Sequence, residues 1–154
     1  MKEIKKLNSH ILRKIGTLSR AIHSTSDMKY RELSLQKGQF IFLTRICENQ
    51  GINFIDLSKI LTVDKSTTTK AVKKLIEAGY ISKEQDEKDK REYKLYPTKK
   101  ALEVYKLIIT EENRNIDICM EGLTKKEREI VENLLEKMSE NAAKDWLKVK
   151  GGKE

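Results

Sequence analysis

Apolar residues recur at spacings of three and four over most of the chain, and the places where that rhythm stops divide it into segments. Ile4, Leu7, Ile11, Ile15, Leu18 and Ile22 predict one long amphipathic helix over about 2–28, with Lys5, Arg13, Lys14 and Arg20 outside the stripe. Ser34 is the expected cap of the next helix, whose core side is Phe40, Ile41, Leu43 and Ile46, up to a stop at Asn49-Gln50-Gly51. Near the other end, Thr98 opens a helix carrying Leu102, Tyr105, Ile108, Ile109, Ile116 and Met120. Thr124 and Glu127 then form a capping box for a last helix that carries Ile130, Val131, Leu134, Leu135, Met138, Ala142 and Trp146.

The middle of the chain changes character. Asn53, with Asp56 three residues on, predicts the start of a short helix whose apolar side is Ile55, Leu57, Ile60 and Leu61. After a break at Thr62-Val63-Asp64, Asp64 is placed to cap a second helix, Lys65 to Ala78, and Gly79 to end it in the left-handed conformation. Two short helices joined by three residues must cross steeply. On the second helix Thr68, Ala71, Val72, Leu75 and Ile76 share the inward sector, while Ser66, Thr69, Lys70 and Lys73 lie opposite. Lys65 to Lys74 holds four lysines and no acid, in a chain that is 36% charged with signs mixed elsewhere. Hydroxyls and lysines near a helix N-terminus suit phosphate oxygens and base edges, although most lysine stripes are only solvated faces.

The segment after this helix tips the balance. Tyr80 to Gln85 and Glu92 to Tyr96 read as strands, and the residues between them, Asp86-Glu87-Lys88-Asp89-Lys90-Arg91, include no apolar side chain. A hairpin packed beside the helical pair would carry this charged tip toward a neighbouring minor groove, whose negative potential attracts Arg and Lys. Taken alone, a charged tip is a solubilising turn. Beside a lysine-rich helix it points to a helix-turn-helix with a wing, and so to DNA.

Leu57 to Lys70, Leu75 to Ile81 (LIEAGYI) and Asp86 to Thr98 (DEKDKREYKLYPT) resemble the MarR family of bacterial transcription regulators. The resemblance implies a mainly α fold with a small β-hairpin wing. In it, the amino- and carboxyl-terminal helices form a dimerisation bundle around a winged helix-turn-helix core at about 34–97, with dimerisation helices at about 2–28 and 98–149 of a single domain spanning 1–154. It implies a homodimer that binds pseudo-palindromic double-stranded DNA operators, usually as a repressor released by a small ligand. On that pattern Lys65, Ser66, Thr67, Thr69, Lys70, Lys73 and Lys74 belong to the recognition helix, and Lys88, Lys90 and Arg91 to the wing, with Asp89 orienting Arg91. Departures from the pattern are Lys88 in place of Arg, Thr62 at a turn position that is often Gly, Pro97 in place of Leu, and Ala101 in place of a common Gly.

Composition bounds the remainder. The 154 residues carry a net charge of +8, and the excess lies in the amino-terminal two thirds: Leu95 to Glu154 holds twelve basic and twelve acidic residues. A basic domain attracts nucleic acid or an anionic membrane, and the winged pair selects nucleic acid. No apolar run approaches the ~20 residues that span a bilayer and the first residues do not form a signal peptide, so a cytoplasmic protein is expected. Cys47 and Cys119 lack metal-ligand spacing and read as buried free thiols, with a redox role left open; His10 and His23 read as surface or interface residues. With no nucleophile elbow, P-loop, dinucleotide fingerprint or HExxH, neither an enzyme nor a cofactor is expected. Tyr30, Arg31, Arg45 and Tyr105 could line a crevice for a small anionic or aromatic effector. The competing function is a winged-helix module for protein–protein interaction with little or no DNA binding.

Overall fold

The structure is a computed structural model that describes residues 1–151. Its elements run α1 (Ile11–Lys29), a 3-10 turn (Arg31–Leu33), α2 (Gln39–Glu48), α3 (Phe54–Leu61), α4 (Lys65–Glu77), β1 (Ile81–Gln85), β2 (Tyr93–Pro97), α5 (Lys99–Cys119) and α6 (Lys125–Gly151). The chain divides into two compact units, Met1–Ile41 and Phe42–Glu154.

In the first unit the amino-terminal helix is shorter than the apolar rhythm predicts. It begins at Ile11, whose N–H donates to Ser9 Oγ, and residues 1–10 are not helical. Ile4 and Leu7 are exposed, so the stripe there has no packing to offset the entropy of ordering another two turns. Ser34 is also not a helix cap. It is left-handed (φ 58°) and closes the 3-10 turn, whereas an N-cap needs extended dihedrals. Lys37 and Gly38 are left-handed as well, and only past them does α2 begin. Tyr30, Leu35 and Phe40 are buried here, with the Tyr30 and Phe40 rings 5.1 Å apart.

In the second unit the core is built from Leu43, Ile46, Leu57, Val72, Leu75, Tyr80, Leu95 and Ile108, all essentially inaccessible. Asn53 caps α3 by accepting from the Asp56 N–H at 2.8 Å. Leu57 is the buried member of that helix's apolar set; Ile55 and Ile60 are exposed, because eight residues make just over two turns and turn only one narrow stripe to the core. Thr62 ends α3 in the left-handed conformation (φ 52°, ψ 53°), which costs a non-glycine residue about 1–2 kcal/mol. Gly79 ends α4 at φ 79°, with its N–H on Ile76 O and the Tyr80 N–H on Leu75 O, the paired bonds of a Schellman motif.

The hairpin is antiparallel with Ile81 opposite Pro97 and Gln85 opposite Tyr93. Its inner strand is held from the other side too: Gly51 N–H donates to Leu95 O and Leu95 N–H to Ile52 O, a bridge that the sequence pattern does not announce. Thr98 caps α5 through the Ala101 N–H and donates its hydroxyl to Gly79 O, while Lys100 Nζ donates to Ala78 O. These bonds fasten the end of α4 to the start of α5. Thr124 Oγ1 accepts from the Glu127 N–H at the start of α6, along which no side chain is buried among the described residues.

Candidate nucleic-acid interface

Helix α4 presents one inward and one outward face. Thr68, Ala71, Val72 and Leu75 are buried, whereas Lys65, Ser66, Thr67, Thr69, Lys70, Lys73 and Lys74 are exposed. A buried polar contact joins it to α3: Ser58 Oγ donates to Phe54 O at 2.8 Å and lies 2.7 Å from Thr68 Oγ1. Because the single Ser58 hydroxyl proton is spent on Phe54, Thr68 is the donor to Ser58. Helical periodicity assigns Thr68 only to the apolar sector and gives no sign of this bond. Asp64 holds the extended N-cap dihedrals, yet its side chain makes no capping bond; its Oδ1 lies 3.3 Å from Lys150 Nζ instead.

The wing tip is organised by Asp86, which the sequence pattern does not single out. Its Oδ1 accepts from the backbone N–H groups of Lys88 (2.7 Å) and Asp89 (3.2 Å), and its Oδ2 lies 3.5 Å from Lys94 Nζ. The Lys88 amide, then the Asp89 amide and the Lys94 charge, hold the Asp86 carboxyl below its ordinary range. Asp89 Oδ1 accepts from both the N–H and Nε of Arg91, at 3.0 and 3.4 Å, leaving the Arg91 side chain 93% exposed. Lys88 and Lys90 are exposed beside it.

Helix and wing meet. Lys65 and Thr69 from α4, Arg91, Glu92 and Tyr93 from the wing, and Asn53, Phe54 and Ile55 from α3 line one hollow of about 240 Å³. Lys83 on β1 also lines it, its Nζ 4.7 Å from the centre of the Tyr93 ring. Ser66, Thr67, Lys70, Lys74, Lys88 and Lys90 lie outside this hollow, and Lys73 lines an adjoining one with Thr69 and Lys83. Lys83 is the cation that pattern reasoning missed. Its signal was the strand alternation that puts residue 83 opposite Leu95 and next to Tyr93.

The model of the MarR family matches residues 35–93, which include the interface down to Tyr93. Over 142 residues the chain is 39% identical to the uncharacterized HTH-type transcriptional regulator YybA of Bacillus subtilis (strain 168), covering 92% of this chain and 95% of that protein. The chain belongs to the MarR family. It is accordingly a helix-turn-helix transcriptional regulator, a DNA-binding class of protein. Among solved structures, a MarR protein from Peptoclostridium difficile DA00132 superposes with a TM-score of 0.91 at 61% identity, over 97% of each chain. A MarR family regulator from Listeria monocytogenes, determined in complex with a 26mer DNA, superposes at 0.90 with 41% identity over 98% of each. The mainly helical winged fold of these MarR proteins is the fold found here.

One sequence expectation needs correction. Cys119 is exposed, near the end of α5, and only Cys47 is buried. Burial, with the Glu48 charge adding to it, pushes the Cys47 thiol up to about 11, so it is a poor thiolate at neutral pH. Of the residues offered for an effector crevice, Tyr30 is buried against Phe40, and the Tyr105 hydroxyl donates to Glu48 Oε1 at 3.0 Å. No helix of the described residues is long and apolar enough to cross a membrane.

Proposed function

We propose that this MarR-family chain is a homodimeric, sequence-specific repressor that places α4 in the major groove and the wing tip in the flanking minor groove of a pseudo-palindromic operator. The observation that carries this reading is the junction of Lys65 and Thr69 with Lys83 and Arg91, which aligns the hydroxyl- and lysine-bearing face of α4 with the wing. Lys65, Ser66, Thr67, Thr69, Lys70, Lys73 and Lys74 contact base edges and phosphates; Lys88, Lys90 and Arg91, with Asp89 orienting the arginine, contact the narrow groove. The DNA of the Listeria relative supports the choice of partner. The chain works in the cytoplasm, is not an enzyme, and is released from DNA by a small anionic or aromatic effector.

Dimerisation is supported by the apolar residues left exposed on the terminal helices: Leu12 and Leu18 on α1, Ile116 and Ile118 on α5, and Ile130 and Leu134 on α6. A two-fold bundle would bury these side chains around a winged core at about 34–97, making one functional domain of the chain. Two recognition helices then read half-sites about 34–36 Å apart. A protein-interaction module is disfavoured by the lysines on α4, since interface cores are depleted in that residue. The experiment is a salt titration of binding to random duplex DNA together with sedimentation equilibrium. Steeply salt-dependent binding by a species of twice 17.9 kDa is the expected result; a monomer with no affinity for duplex contradicts the reading.

A further inference from the structure

Helices α3, α5 and α6 are each capped by a side chain, from Asn53, Thr98 and Thr124. Helix α4 is not, although Asp64, at its N-cap, is among the best capping residues. The Asp64 carboxylate is turned toward the far end of the chain, to Lys150 in the last turn of α6. Lys150 is held there by its own helix, with Nζ 4.7 Å from the centre of the Trp146 ring one turn earlier. Trp146 and Leu147 in turn line a hollow of about 340 Å³ with Ile55, Val63 and Lys65 of the helix-turn-helix. The arm that leaves the wing through α5 therefore returns, by the end of α6, to the residue that opens the recognition helix.

We propose that Lys150 is a positioning residue for DNA binding: by holding the Asp64 carboxylate off the N-terminus of α4, it keeps that helix's free N–H groups open to phosphate and offsets an acid at the DNA-facing end. The inference rests on the reading of α4 as the recognition helix. The first N–H groups of a helix have no intrahelical acceptor and form a natural anion site. Released from Lys150, Asp64 has the backbone conformation to take those N–H groups itself, and its charge then repels the phosphate that would occupy them. Movement of the α5–α6 arm is thereby registered at the first turn of α4.

Trp146 is the sole tryptophan, so its emission reports this contact without DNA. The test compares wild type, Lys150→Ala, Asp64→Asn and the double variant by Trp146 emission and by affinity for a duplex at low salt, with thermal unfolding as a check on folding. Lys150→Ala should red-shift the emission and weaken binding by about two- to fivefold, the scale of an exposed ion pair. In the Asp64→Asn background the same substitution should cause no further loss. Unchanged emission in both single variants overturns the contact. An equal loss on both backgrounds overturns the positioning role, since Lys150 would then touch phosphate itself. Failure of the wild type to bind any duplex, with the emission shift intact, would instead remove the DNA-binding reading while leaving the contact supported.

Discussion

Thr68 donates to Ser58 across 2.7 Å of buried space between α3 and α4, and Ser58 donates in turn to Phe54 O, so a three-member hydrogen-bond relay links the two helices of the helix-turn-helix. A relay of this kind is directional, because each hydroxyl has one proton to give. Ser58→Ala leaves the Thr68 hydroxyl buried without its acceptor and should cost about 1–3 kcal/mol; Thr68→Val should cost about 1 kcal/mol. The double variant should cost less than the sum, since an apolar pair leaves nothing unsatisfied. Chemical denaturation of the four proteins measures this, and strict additivity would mean that the two hydroxyls act independently.

Arg91 is held by Asp89 at the wing tip with its guanidinium in solvent. Arg91→Ala should lower affinity mainly for operators with A·T-rich flanks, whose narrow minor groove concentrates negative potential. Asp89→Ala should give a milder loss of the same kind, and the double variant should be no worse than Arg91→Ala alone. Competition between A·T-flanked and G·C-flanked duplexes decides the matter. An identical loss on both would place Arg91 on phosphate.

Burial raises the Glu112 carboxyl above its ordinary range, with the Glu48 charge adding and Arg45 opposing. A carboxyl raised on folding favours the folded state while protonated: its contribution is present below the unfolded value and is lost as pH rises through the folded one. Glu112→Gln should therefore be more stable than wild type near pH 7, with the gap closing as pH falls through the raised folded value and fully closed below the usual carboxylate range of about 4. Thermal midpoints across that interval test the sign. A gap independent of pH would assign the effect to packing.

The parts of the fold legible in the sequence are those fixed by local period and turn chemistry. Helix α4 is one such part: Ala71, Val72 and Leu75 mark its inner face, Gly79 its end, and the lysines its outer face. The tip between β1 and β2 is another, because a charged run between two strand patterns has few alternatives. What failed depended on partners distant in sequence. Ile4 and Leu7 continue the rhythm of α1 with nothing to pack on, and Ser34 looks like a cap until the left-handed turn is known; Asp64 does stand at the N-cap of α4, but its side chain lies against Lys150 and makes no capping bond. Lys83 and Asp86 carry no sequence signal of their own: a lone lysine in a strand and an aspartate in a run of mixed charge stand out only when their neighbours are placed.

The most direct test of DNA reading by α4 is the affinity of wild type, Lys70→Ala and Lys73→Ala for an operator selected from random duplexes and for its scrambled counterpart, each over a range of salt, with Lys137→Ala as the control from the net-neutral carboxyl-terminal region. Wild type and Lys137→Ala should discriminate the operator alike. Each α4 variant should either flatten the salt slope by about one unit, for a lost phosphate contact, or lose about 1–3 kcal/mol of discrimination, for a lost base contact. Unchanged affinity, slope and discrimination in both α4 variants would contradict this placement and remove α4 from the groove.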